Sequence, residues 1–99
     1  MLGKLNELRK TMDEIKSRLD TVSVNADAGD GAVKVIMNAN RKLVSISIDE
    51  KLLSPESKEE LQDYIEIAVN KASEKAQQVA ESEMKSAGRG MLPDIPGLF

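Results

Sequence analysis

Apolar residues recur over the first twenty-two positions at Leu5, Leu8, Met12, Ile15, Leu19 and Val22, in steps of 3, 4, 3, 4 and 3. That spacing puts them on one narrow stripe of an α-helix, closed by Asp20-Thr21. The stripe has the form of a coiled-coil seam. The period then changes to two. Val22, Val24 and Ala26 alternate with Ser23, Asn25 and Asp27. Gly29-Asp30-Gly31 follows, holding an Asp-Gly pair that tolerates the positive φ of a hairpin turn. Val33, Val35 and Met37 alternate next, and Asn38-Ala39-Asn40 makes a second turn, with Asn suited to the left-handed region. Val44, Ile46 and Ile48 alternate with Ser45 and Ser47. Three short strands of this kind predict an antiparallel meander with one apolar and one mostly polar face.

Ser54-Pro55-Glu56 predicts the start of a long helix. Ser54 is the cap, Pro55 suits the first turn, and Glu56, Glu59 and Glu60 complement the dipole. Leu61, Ile65, Ala68, Ala72, Ala76 and Val79 form its inward face, and Gly88 is placed to end it. The fold class is α+β, in the order α-β-β-β-α. A single domain occupies residues 1–88, and residues 89–99 form a Pro/Gly-containing tail expected to be mobile. The apolar strand face is expected to pack on both helices.

The second helix is too long for the sheet. Glu56 to Ala87 gives a rod of about 48 Å, against about 20 Å for a strand of about six residues. Half of it overhangs and needs a partner. A face rich in alanine allows close helix approach. The sequence therefore predicts a homodimer with protruding helices, sharing Leu61, Ile65, Ala68, Ala72, Ala76 and Val79 between copies. The thin core points the same way: of 99 residues only Tyr64 and Phe99 are aromatic, and small aliphatic domains are marginal alone.

The chain has no Cys and no His. Disulfides and thiolate metal sites are excluded, and the commonest general base and metal ligand are absent. No apolar run suits a bilayer span. Met1-Leu2-Gly3-Lys4-Leu5-Asn6-Glu7 does not read as a signal peptide, so a cytoplasmic location is expected. The net charge of −3 gives no global argument for nucleic acid. Any such surface has to be a local segregation of bases.

One segregation stands out. Lys71, Lys75, Gln78, Ser82, Lys85 and Arg89 follow steps of 4, 3, 4, 3 and 4, and at about 100° per residue they share an arc of about 80°. Lys and Arg meet phosphates as charges, while Ser and Gln donate hydrogen bonds to phosphate oxygens. The same stripe also reads as a solvated edge of the alanine seam, with lysine stems lying over it. Arg9 and Lys16, seven residues apart on one shoulder of the first helix, could extend a phosphate track, although intrahelical ion pairs explain most of that surface. Arg41 and Lys42 at the second hairpin tip read as edge protection. No helix-turn-helix spacing, zinc ligands or continuous basic region is present for base readout. No aromatic platform offers itself to single strands. Asp27, Asp30, Asp49 and Glu50 are turn and strand-end carboxylates, and Gly29-Asp30-Gly31 lacks the residues of a phosphate loop, so no enzyme activity is expected.

The ordered series Gly31-Ala32-Val33-Lys34-Val35, Ile48-Asp49, Leu52-Leu53, Leu61-Gln62-Asp63-Tyr64, Ala68-Val69-Asn70-Lys71-Ala72 and Met84, with the Pro/Gly-rich tail and a helix starting near Met1, resembles the YbaB/EbfC family of nucleoid-associated proteins. It departs at Asn38-Ala39, where that family usually has Asn-Gly. The resemblance implies small cytoplasmic bacterial homodimers with protruding, tweezer-like helices. It implies binding of double-stranded DNA with little sequence preference, and no catalytic residues. No metal, cofactor, membrane or small-molecule substrate is expected of this chain. The rival reading is a protein-interaction module that docks a partner through the long C-terminal helix and tail.

Overall fold

The computed structural model describes residues 2–91, with side chains over residues 3–87. The tail from residue 92 onward lies outside the described residues. Helix α1 is Leu2–Thr21, strands β1, β2 and β3 are Ser23–Ala28, Val33–Asn38 and Leu43–Ile48, and helix α2 is Lys58–Met91. The strands form one antiparallel sheet in the order β1-β2-β3. The α-β-β-β-α arrangement predicted from the patterns is the one observed.

Alternation sets which strand residues are buried. Val24, Ala26 and Ala28 of β1 face the same side as Val33, Val35 and Met37 of β2, and all six are buried. Ala68, Ala72 and Ala76 of α2 close this core from above. Their small side chains let the helix lie low on the pleat. α2 lies mainly over β1 and β2, leaving β3 largely outside its cover. The physical reason is width: a helix is about 10 Å across, and strands are spaced about 4.8 Å apart. Ile46 and Ile48 stand directly opposite Val35 and Val33, on the same face, yet are 38% and 36% exposed, and Val44 is 60% exposed.

α1 also departs from expectation. It does not lie on the sheet. A single residue, Val22, separates it from β1, so it runs off the sheet end and packs along distal α2. Ile15 and Leu19 are buried there with Ala39, against Val79, Ala80, Met84 and Ala87. The other half of its stripe, Leu5, Leu8 and Met12, is exposed. The overhang of α2 thus has a partner within the chain, and the molecule measures 62 × 25 × 15 Å.

The connections hold these pieces in place. Gly29, Asp30 and Gly31 all take positive φ. A Cβ on Gly29 would lie 2.5 Å from the Tyr64 ring, so glycine there lets α2 close over the turn. In the second hairpin the left-handed residue is Arg41, at φ 65°, and not an asparagine. The asparagines have another task. Asn38 Oδ1 accepts from the N–H groups of Asn40 and Lys42. Asn40 Nδ2 donates to Lys16 O at 2.9 Å and to Asp20 Oδ1 at 2.6 Å. Ala39 N–H donates to Leu19 O and Val22 O. The hairpin tip therefore satisfies orphan carbonyls at the end of α1.

The start of α2 is later than predicted. Glu50–Leu52 and Pro55–Ser57 are 3₁₀ turns, and Ser54 makes no cap hydrogen bond. Its hydroxyl pairs with Ser57 instead. At the other end, α2 continues one turn past Gly88 to Met91. A glycine lowers helix propensity by about 1 kcal/mol without forbidding a helix.

Candidate nucleic-acid interface

The predicted stripe divides on the structure. Lys71 Nζ donates to Asp27 O at 3.4 Å and Lys75 Nζ to Asn25 O at 2.6 Å. Both carbonyls belong to β1, which is an edge strand, so these two lysines bond backbone oxygens that have no neighbouring strand. Each ammonium has three donors, leaving capacity for another acceptor. Gln78 and Ser82 lie one and two turns further on. With Lys75, Val24, Asn25, Val79 and Glu83 they line an open cavity of about 570 Å³. Glu83 is not unbalanced there: Arg18 Nη2 lies 3.4 Å from its carboxylate.

Lys85 faces a second cleft, of about 630 Å³, between the β2–β3 hairpin tip and distal α2. Arg41 and Asn40 form one wall, and Gln77, Glu81, Met84 and Lys85 the other. Gln77 Nε2 donates to Glu81 at 3.1 Å. The association of Arg41 with Lys85 has no signature in the sequence, because it depends on the hairpin folding back onto α1. Only the unusual φ of Arg41 marks the position, and that too is invisible in the sequence. Arg9 and Lys16 are exposed on α1. Lys16 is tied to the hairpin through its carbonyl alone, so its ammonium faces water. The Arg89 side chain lies outside the described residues. Among the described residues Arg18–Glu83 is the one ion pair, so Lys71, Lys75 and Lys85 are not neutralised by contact with a carboxylate.

The inward face of α2 is the one expected, and it packs on the chain's own sheet. Ala68, Ala72 and Ala76 have no exposed surface, and Leu61, Ile65 and Val79 pack against the same core. A residue fully buried against its own sheet has nothing left to offer a second copy.

Tyr64 is not a stacking platform either. Its ring rests on Gly29 and its hydroxyl donates to Glu60 at 3.0 Å. That hydrogen bond to the Glu60 carboxylate raises the phenol above its ordinary pKa, with the Glu60 charge adding to it. No helix among the described residues is long and apolar enough to cross a membrane.

Known proteins resemble this chain over nearly its whole length. A protein of Flavobacterium johnsoniae named nucleoid-associated protein is 45% identical over 98 residues, covering 99% of this chain and 91% of its own. A nucleoid-associated protein of Pelotomaculum thermopropionicum is 42% identical, covering 100% and 92%. The crystal structure of the uncharacterized protein HP0035 from Helicobacter pylori superposes with a TM-score of 0.72 at 27% identity, over 92% of this chain and 91% of that one. Residues 1–91 match the description of the YbaB/EbfC DNA-binding family, and the chain belongs to that family.

Proposed function

We propose that this protein works in the cytoplasm as a nucleoid-associated homodimer that holds double-stranded DNA through backbone phosphates, with little preference for sequence. Membership of a DNA-binding family is the observation that carries the reading. Its mode follows from the side chains available. Lys71, Lys75, Gln78, Ser82, Lys85 and Arg89 on α2, with Arg9 and Lys16 on α1, supply charges and hydrogen-bond donors suited to phosphate oxygens. They hold no aromatic wedge and no zinc-stabilised reading helix. Affinity then comes from counterion release, so it is weak and falls steeply with salt in a protein of net charge −3.

Titration of two unrelated duplexes at several salt concentrations tests this. Lys16→Glu and Lys85→Glu are the informative variants, because neither ammonium takes part in the fold. Both should weaken binding to the two duplexes alike, and each lost contact should flatten the log–log salt slope by about 0.9. Loss on one duplex only would point to base readout. Absence of binding by the unaltered protein at low salt would favour the protein-interaction reading.

A further inference from the structure

The apolar stripe of α1 is used at one end and open at the other. Ile15 and Leu19 are buried against distal α2. Leu5, Leu8 and Met12 continue the same line toward the N-terminus and are 58%, 37% and 44% exposed. The charged residues around that open half are segregated. At about 100° per residue, Lys4 lies about 60° to one side of the stripe's axis, and Lys16 and Arg9 lie about 60° and 80° to the other. Glu7, Asp13 and Glu14 lie about 120° or more away, on the back of the helix. All six are exposed, and among the described residues none of them is in an ion pair. A chain of net charge −3 thus carries an open apolar strip with cations, and no acid, along both borders.

We propose that this half of α1 is the docking site for an acidic amphipathic helix of another protein. The spacing argues for the shape. Steps of 3 and 4 make a coiled-coil seam, and the complement of such a seam is a helix with apolar residues at the same repeat. The borders argue for the charge. Residues flanking a seam face the flanks of the partner helix and set which helices pair, so Lys4, Arg9 and Lys16 select glutamate or aspartate there. The apolar side chains then hold the partner, and the cations choose it and speed the encounter.

The same borders argue against a second copy of this chain, because two such stripes bring cations against cations in either direction. A lipid surface fits poorly as well. Interfacial helices bury a broad face with Trp, Phe or Leu, whereas α1 has no aromatic residue and its open half presents only Leu5, Leu8 and Met12. A contact of this size makes a weak, transient complex. DNA and the acidic helix draw on the same two cations, Arg9 and Lys16.

The probe is a fluorescent synthetic helix of about three heptads, with leucine on its seam and glutamate on both flanks, and its twin carries lysine on the flanks. Titrated with the full chain in the absence of DNA, the glutamate helix should show a rise in anisotropy and the lysine twin none. Leu8→Gln, at an exposed position, should weaken binding of the glutamate helix at least about tenfold. Lys4→Glu combined with Arg9→Glu should move the preference to the lysine twin, a reversal that no loss of folding can produce. Absence of binding to the glutamate helix by the unaltered chain, or equal binding of both helices, would overturn the proposal. A fall in the light-scattering mass of the chain on Leu8→Gln would overturn it too, giving the stripe to a second copy. Co-sedimentation with phosphatidylglycerol vesicles that Leu8→Gln abolishes would do the same, giving the stripe to a lipid surface. The titration contains no duplex, so its result stands apart from that of the proposed DNA binding.

Discussion

β1 and β3 are the two outer strands of one sheet, each six residues long; β1 alternates regularly, whereas β3 is interrupted by a bulge at Val44. Their surroundings differ. β1 lies under α2, its inward residues are buried, and its free edge is bonded by Lys71 and Lys75. β3 has an inward face left partly exposed, Ile46 at 38% and Ile48 at 36%, and among the described residues no backbone hydrogen bond reaches its outer edge. Opposite the inward Met37, Val35 and Val33 it places the larger residues Leu43, Ile46 and Ile48, where β1 places Val24, Ala26 and Ala28. The small residues sit where a helix must come close. The large ones sit where no helix comes. A strand that carries more apolar area than its own subunit covers is built to have it covered by something else.

The sharpest test of that difference uses neighbours. Val35 and Ile46 stand opposite each other across one ladder, Val35 fully buried and Ile46 38% exposed. Val35→Ala should lower unfolding free energy by about 2 kcal/mol, at any protein concentration. Ile46→Ala should cost less than about 1 kcal/mol in dilute protein, with a further loss that appears only at concentrations where the chain associates. Denaturant melts over a range of concentrations separate the two. Equal, concentration-independent costs would mean that β3 is covered within the subunit and that the contrast is false.

Gly29 tests the covered side from its end. Alanine there would combine positive φ with a contact 2.5 Å from Tyr64. A loss of about 1–3 kcal/mol is expected. Gly29→Ala combined with Tyr64→Ala should cost less than the two single changes together, because the clash is counted once. Strict additivity would show that the ring does not rest on the turn. Lys71→Ala with Lys75→Ala is gentler. Hydrogen bonds this exposed contribute below about 1 kcal/mol each. Their loss should instead raise aggregation, read as light scattering during prolonged incubation, by exposing the β1 edge. An unchanged aggregation rate would mean that these lysines do not protect the edge.

Much of the fold was readable because local patterns determine it. The alternation in Val33–Met37 and the small-residue face of α2 placed the core correctly, as Val33, Val35, Ala68, Ala72 and Ala76 show. What alternation reports, however, is a face and not its cover. Val44, Ile46 and Ile48 read the same way as Val33 and Val35 and came out exposed. The α1 stripe failed likewise at Leu5, Leu8 and Met12, because a helical period says nothing of where the neighbour ends. The candidate site was less legible still. Lys71 and Lys75 meet acceptors 44 and 50 residues away, and Asn40 meets α1 at separations of 24 and 20. Contacts over such distances in sequence have no local signature. The stripe of cations could be drawn from spacing alone, but not the fact that two of its members also guard a strand edge.

The smallest effect expected belongs to Tyr64, at the end of the covered half. Its hydroxyl donates to Glu60, and donation favours the protonated phenol, so the pKa is raised above 10.0. The folded chain then holds a proton that the unfolded chain releases. The contribution to stability is complete below pH 10 and is lost as pH rises through the folded value. Tyr64 is the one tyrosine in the chain, so ultraviolet difference absorbance reads it without interference. The native protein should titrate above free tyrosine, and Glu60→Gln should move it back toward the ordinary value. A titration already at that value would mean that the first turns of α2 do not hold the ring over Gly29 in solution. The covered half of the sheet would then begin further along, at Ala68, and the boundary between guarded and open strands would move with it.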